Sequence, residues 1–213
     1  MISTRQKGIA GVLTLGLVLA GCADGGAVLA APAPDPLGEP QRYTTSAFII
    51  QQGDEPPELC LSTVMESNPP QCGGPTVVGL DWADVPDAET VMGVTFGSAW
   101  VVGTYADETF TLTEPVSSDP PAGHVPPGST PPTYSPPSGD APSAEDGEAA
   151  MSALGEHATE VGLLVWSPDP TTGRFSADVI RLDASTEARI HEILASWYEA
   201  DQIDLYSRLE PLR

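Results

Sequence analysis

Four Pro-Pro pairs, Pro120-Pro121, Pro126-Pro127, Pro131-Pro132 and Pro136-Pro137, lie between Ser117 and about Glu148 among Gly and Ser. Each proline locks φ and removes a backbone donor, so neither a strand ladder nor a helix runs through such a stretch. The stretch also has too little apolar surface to pack. The sequence therefore predicts an extended, disordered Pro-rich connector over 117–158, with one folded part before it, 43–116, and one after it, 159–213.

The first part reads as β-rich. Thr45 to Gln51 is β-branched and aromatic and ends at Gly53-Asp54, the pattern of a strand. Leu59 to Ser62 is a short strand candidate, and Val91 to Phe96 adds another before Gly97. Trp100 to Tyr105 and Thr109 to Thr113 flank Ala106-Asp107-Glu108 as a hairpin, with Phe110 and Leu112 on one face. Strand signals at Val161–Trp166 and Arg174–Leu182 follow the connector, around a turn from Ser167 to Gly173. Ser185 has the chemistry of a helix N-cap, and Ile190, Ile193, Leu194 and Trp197 form one apolar stripe at helical spacing. Gln202 to Leu209 alternates as a closing strand. The expected fold class is α+β: a small β-rich part plus a C-terminal β-β-α-β unit. That unit spans only about fifty residues, too few for comfortable independent stability, so it is expected to pack on 43–116.

Ahead of these parts, Arg5 and Lys7 precede an apolar run from Ile9 to Leu19, then Leu19-Ala20-Gly21-Cys22. A charged head, a short apolar core and small residues make a secretory signal peptide, expected over 1–21. The run is about half the roughly 20 residues that a spanning helix needs. The cysteine after the small pair resembles the lipobox of bacterial lipoproteins. That resemblance implies a diacylglycerol on the Cys22 thiol, cleavage before it and residence on the extracytoplasmic face of the cell membrane. Residues 22–42, small and Pro-rich, are expected to be a flexible tether.

The chain carries a net charge of −22, and its single Lys, Lys7, lies in the leader. Such a surface repels phosphate backbones, which disfavours nucleic acid as a partner. It repels anionic headgroups equally, so membrane attachment rests on acyl chains rather than a basic patch.

With Cys22 committed to lipid, Cys60 and Cys72 remain as an even pair in an oxidising compartment. One intramolecular disulfide is the expected use, contributing on the order of 3 kcal/mol by loop closure. Metal binding competes, but no third Cys exists and the three His are scattered.

Leu59-Cys60, Glu66-Ser67, Pro69 to Pro75 (PPQCGGP) and Trp82 resemble a group of small actinobacterial secreted and lipid-anchored proteins. Gly97, Trp100 to Tyr105 and Phe110 to Thr113 fit the same group. The resemblance implies an exported disulfide and a β-rich fold. It assigns no activity, so it transfers no catalytic residue.

Signals for chemistry are few. Asp81, Asp84, Asp87 and Glu89 form an acidic run that suits Ca²⁺, a cation wanting six to eight oxygens. The run lacks EF-hand order, and a solvated acidic loop is the plainer reading. Trp82 beside Asp81 is the best candidate for an exposed sugar platform, since Trp100 and Trp166 sit inside apolar strands and Trp197 on the helix stripe. His124, His157 and His191 read as surface residues. No nucleophile elbow, paired-histidine metal motif, phosphate loop or dinucleotide fingerprint is present, so no cofactor is expected and an enzyme is disfavoured. The expected role is a non-catalytic envelope module binding a protein or glycan partner. The alternative is a carboxylate-based extracytoplasmic hydrolase acting on cell-wall or external substrate.

Overall fold

The computed structural model describes residues 40–122, 124 and 141–212. The expected signal peptide, Cys22 and nearly all of the tether lie outside the described residues, as does most of the proline run. Among the described residues no helix is long and apolar enough to cross a membrane.

The chain is mixed α+β and strand-rich. In order it forms β1 (Arg42–Gln52), β2 (Glu58–Cys60), β3 (Thr76–Val78), β4 (Glu89–Val91), β5 (Val94–Ala106) and β6 (Thr109–Leu112). Then follow α1 (Ala144–Gly155), α2 (Ala158–Val161), β7 (Leu163–Asp169), β8 (Arg174–Val179), α3 (Ala184–Leu194), β9 (Ile203–Ser207) and β10 (Glu210–Pro211).

The first six strands build a barrel-like sheet. β1 pairs antiparallel with β2 on one side and with β5 on the other, and the ring β1-β2-β3-β6-β5 closes through a parallel β3–β6 pair. Closure satisfies strand edges that an open sheet of this size would leave bare. The period of two sends Tyr43, Ala47 and Ile49 of β1 and Ala99 and Val101 of β5 inward, where they meet Leu59, Val77 and fully buried Phe110.

β5 differs from the expected reading. Val91–Phe96 and Trp100–Tyr105 looked like two strands separated at Gly97, but one 13-residue strand runs through. A Cβ on Gly97 would lie 2.7 Å from Val85 Cγ1. The glycine marks a close approach of the 85–88 loop, not a break. The β5–β6 hairpin turns at Asp107 and Glu108, both with left-handed φ (48° and 58°), the geometry of a two-residue type I′ turn.

Cys60 and Cys72 are bonded to each other. The loop they close is held to β2 by Leu59 N–H donating to Pro75 O at 2.9 Å.

The stretch expected to be a disordered connector is ordered at both described ends. Ser117 bridges Trp100 through paired backbone bonds, and Ala144–Gly155 is a helix. Ser143 and Asp146 form a capping box at its start. The sequence hid this helix because its contact face is small. Gly147 lies against Pro168, where a Cβ would be 3.2 Å from two ring carbons, while Ala150 and Leu154 are fully buried.

β7, β8 and β9 form a second sheet, with β8 and β9 parallel and α3 in the crossover between them. Buried Phe175, Ala177 and Val179 of β8 pack on Ile190 and Leu194 of α3 and on α1. Val161, expected to open a strand, ends α2 instead, and left-handed Gly162 starts the turn into β7.

Asp183, not Ser185, caps α3: its Oδ1 accepts the N–H groups of Ser185 and Thr186 at 3.1 and 2.9 Å. Burial opposes its charge, but the Ser185 hydroxyl, the Thr186 N–H and Arg181 outweigh it and hold the carboxyl at about 2. A depressed folded pKa adds stability above the ordinary carboxylate range and loses it as pH falls toward that value. Asp183→Ala should therefore cost about 1 kcal/mol at neutral pH. Urea midpoints measured against pH should show wild type and variant converging as pH falls to about 2.

The two sheets meet along one seam. β10 pairs with β1, fully buried Leu209 enters the barrel core, and Leu164 and Ile180 pack against that core. Arg181 lies over the Tyr105 ring, 5.9 Å from its centre.

Candidate functional site

The outward side of the β1–β5 ribbon carries what the inward alternation leaves over: Ser46 and Phe48 from β1, and Phe96, Ser98 and Trp100 from β5. Cross-strand register sets Ser46 opposite Trp100, Phe48 opposite Ser98 and Ile50 opposite Phe96. Phe48 and Phe96 sit diagonally and stack, with ring centres 5.6 Å apart and planes at 25°. All three aromatics are half-buried.

Around these residues the surface dips into two shallow grooves that meet at Ser46 and Trp100. The first, about 440 Å³, runs over the Phe48–Phe96 pair to Asp87 and Glu89. The second, about 510 Å³, runs along the seam past Tyr206, Asp178, Arg208 and Glu210. Both volumes fall in the range of small-ligand sites.

The charged groups of the second groove have partners within the chain. Arg208 pairs with Asp178, and Glu210 lies 3.4 Å from His124 Nδ1. His124, expected on the surface, is only 6% exposed and tilts against Trp100 with centres 4.5 Å apart. His157 joins Glu160 and Arg189 in a surface network on the helical side. His191 has a buried Nδ1 with no hydrogen-bond partner among the described residues.

Trp82, expected to be the exposed platform, begins a 3-10 turn (Trp82–Asp84), packs on the barrel core and donates its indole N–H to Gln51 Oε1. The acidic run is spread out by that turn. Asp81 Oδ1 caps it by accepting Ala83 N–H, while Asp84, Asp87 and Glu89 are exposed. Among the described residues no group of three or more His, Cys, Asp or Glu is arranged to hold a metal ion. Only Asp87 and Glu89 of the run reach the groove.

Asp146, Glu160, Asp169 and Asp183 each have a carboxyl shifted downward. The Ser143 hydroxyl acts on Asp146, Arg189 on Glu160 and the Thr172 hydroxyl on Asp169. Such acids are fixed in the charged form, the reverse of a general acid held protonated near neutrality.

The sequence reading missed Phe48, Phe96 and Tyr206. A signal for the first existed: Phe48 shares its strand face with Ser46, while Ala47 and Ile49 take the other. An aromatic on the polar face of an alternating strand sits outside the core.

Compared with known proteins, the chain matches no family model, no curated protein and no solved structure.

Proposed function

We propose that the chain is a lipid-anchored protein of the extracytoplasmic envelope whose folded part is a non-catalytic module, binding a glycan through the outer face of the β1–β5 ribbon. The observation that carries this is the aromatic row Phe48, Phe96 and Trp100 on the solvent side of a closed barrel, interleaved with the hydroxyls of Ser46 and Ser98. Sugar rings present C–H faces to aromatic surfaces and hydroxyls to small polar groups. Five-stranded, partly open barrels elsewhere host oligosaccharides, although a shared frame assigns no ligand by itself. The anchor rests on the lipobox at Cys22, and mass spectrometry of the natural N-terminus tests it.

Binding of soluble cell-wall polysaccharide, followed by tryptophan emission and calorimetry, tests the module. Trp100→Ala should weaken it about fivefold, matching the loss of one aromatic contact worth roughly 1 kcal/mol. Trp82→Phe should leave the affinity unchanged. Unaltered binding in Trp100→Ala and Phe48→Ala overturns this assignment of the face.

One observation favours the hydrolase alternative: Asp87 and Glu89 line the same groove, and two carboxylates flanking a glycosidic bond are the usual hydrolytic pair. Release of reducing ends by the wild type, lost in Glu89→Gln, would replace the binding reading.

A further inference from the structure

The two halves of the groove differ in electrostatics. Along the seam, Arg208 compensates Asp178, and the His124 ring lies beside Glu210. Over the Phe48–Phe96 pair, Asp87 and Glu89 are the charged side chains that line the groove among the described residues. Both are exposed, and neither has a hydrogen-bond or ion-pair partner among the described residues.

Among the described residues no arginine is left over for them. Each described arginine already faces a carboxylate of its own: Arg42 with Glu114, Arg174 with Asp204, Arg181 with Asp183, Arg189 with Glu160 and Arg208 with Asp178. No lysine lies among residues 40–212. Among the described residues, then, nothing supplies a compensating positive charge at this end of the groove.

Resting on the glycan reading above, we infer that this half of the groove takes an amino sugar with a free ammonium group, its ring against Phe48 and Phe96 and its ammonium at Asp87 and Glu89. The aromatic pair serves twice here, as a platform for the ring and as a π-face for the cation beside it. Charge complementarity works at long range too, because a chain of net charge −22 attracts a polycationic glycan and repels a phosphate- or uronate-bearing one. A lysine-rich peptide offers the same charge but is less suited. Ordering each long side chain costs rotamer entropy, whereas the sugar holds its amine rigidly on the ring.

The test titrates the full chain in detergent with glucosamine oligomers and with N-acetylglucosamine oligomers of equal length, at a pH where the amine is protonated. The glucosamine form should bind at least tenfold tighter, and that preference should shrink as salt is raised. Asp87→Asn with Glu89→Gln should abolish the preference while leaving the weaker acetylated affinity in place, since both side chains are exposed and unpaired. Phe48→Ala should weaken both ligands. Equal or tighter binding of the acetylated oligomer, or tighter binding of an oligolysine of matched charge, overturns the amine assignment and leaves the binding face standing. Binding of neither sugar, with Phe48→Ala silent, overturns the glycan reading itself.

Discussion

Phe110→Ala is expected to lower the stability of the folded chain by about 3–5 kcal/mol, the cost of emptying a large aromatic from a closed core. Phe110 is fully buried on β6, opposite Tyr105 in the hairpin and beside Val77 in the parallel pair that completes the ring. Its ring is packed closely enough that a Cβ on Gly103 would meet Phe110 Cε1 at 2.7 Å. The surrounding strands are tied into the ring and cannot collapse fully into the space, which sets the loss at the upper end of such substitutions. Because the β1–β5 ribbon forms part of the same barrel wall, the aromatic groove should fail with the core. Urea unfolding checks the first effect. Loss of ligand-induced change in tryptophan emission, under conditions where the variant is mostly unfolded, checks the second. A shift below about 1 kcal/mol would mean that the barrel does not close around this residue.

Gly74→Ala is the second large effect, and Gly73→Ala is its control. A Cβ on Gly74 would lie 2.0 Å from the carbonyl oxygen of Leu59 and 3.1 Å from its carbon. Those atoms belong to the backbone of a strand paired on both sides, so no flexible side-chain end can yield. The loop must lift off β2, breaking the bond from Leu59 N–H to Pro75 O and straining the Cys60–Cys72 closure. A loss of about 4 kcal/mol, near the top of single-substitution effects, is the expected outcome. Gly73, one residue earlier, has only Glu58 Oε2 at 3.9 Å, an ordinary contact. Gly73→Ala should stay within about 0.5 kcal/mol of wild type. Similar melting temperatures for the two variants would show that the loop does not seat against β2.

Local chemistry was readable wherever a short-range rule acts alone. The strand from Thr45 to Gln51 emerged as the middle of β1, and the hairpin around Asp107-Glu108 turned where its polar residues fall. The stripe Ile190–Leu194 faces a core, and Cys60 found Cys72. Misreadings occurred where a distant neighbour changes what a residue means. Gly97 looked like a strand end because its tight partner, Val85, is twelve residues away in a loop. Ser185 looked like a cap because nothing local ranks it below Asp183, whose oxygen reaches both N–H groups. Residues from Ser143 onward looked like more connector, because a helix whose contact face begins with Gly147 and Ala150 has little apolar signature before Met151 and Leu154.

What the amino-acid sequence determined by itself was the α+β composition of the chain, its single disulfide pair and the hairpin alternation that sends Phe110 inward. Those properties follow from dihedral preferences, cysteine count and a side-chain period of two, which act within a few residues. Only the tertiary structure decided that β1 and β5 lie side by side in the register that stacks Phe48 on Phe96, and that Trp100 rather than Trp82 borders the groove. Both depend on ring closure, a balance of pairings across some fifty residues whose energies are summed over the whole barrel and written in no single segment.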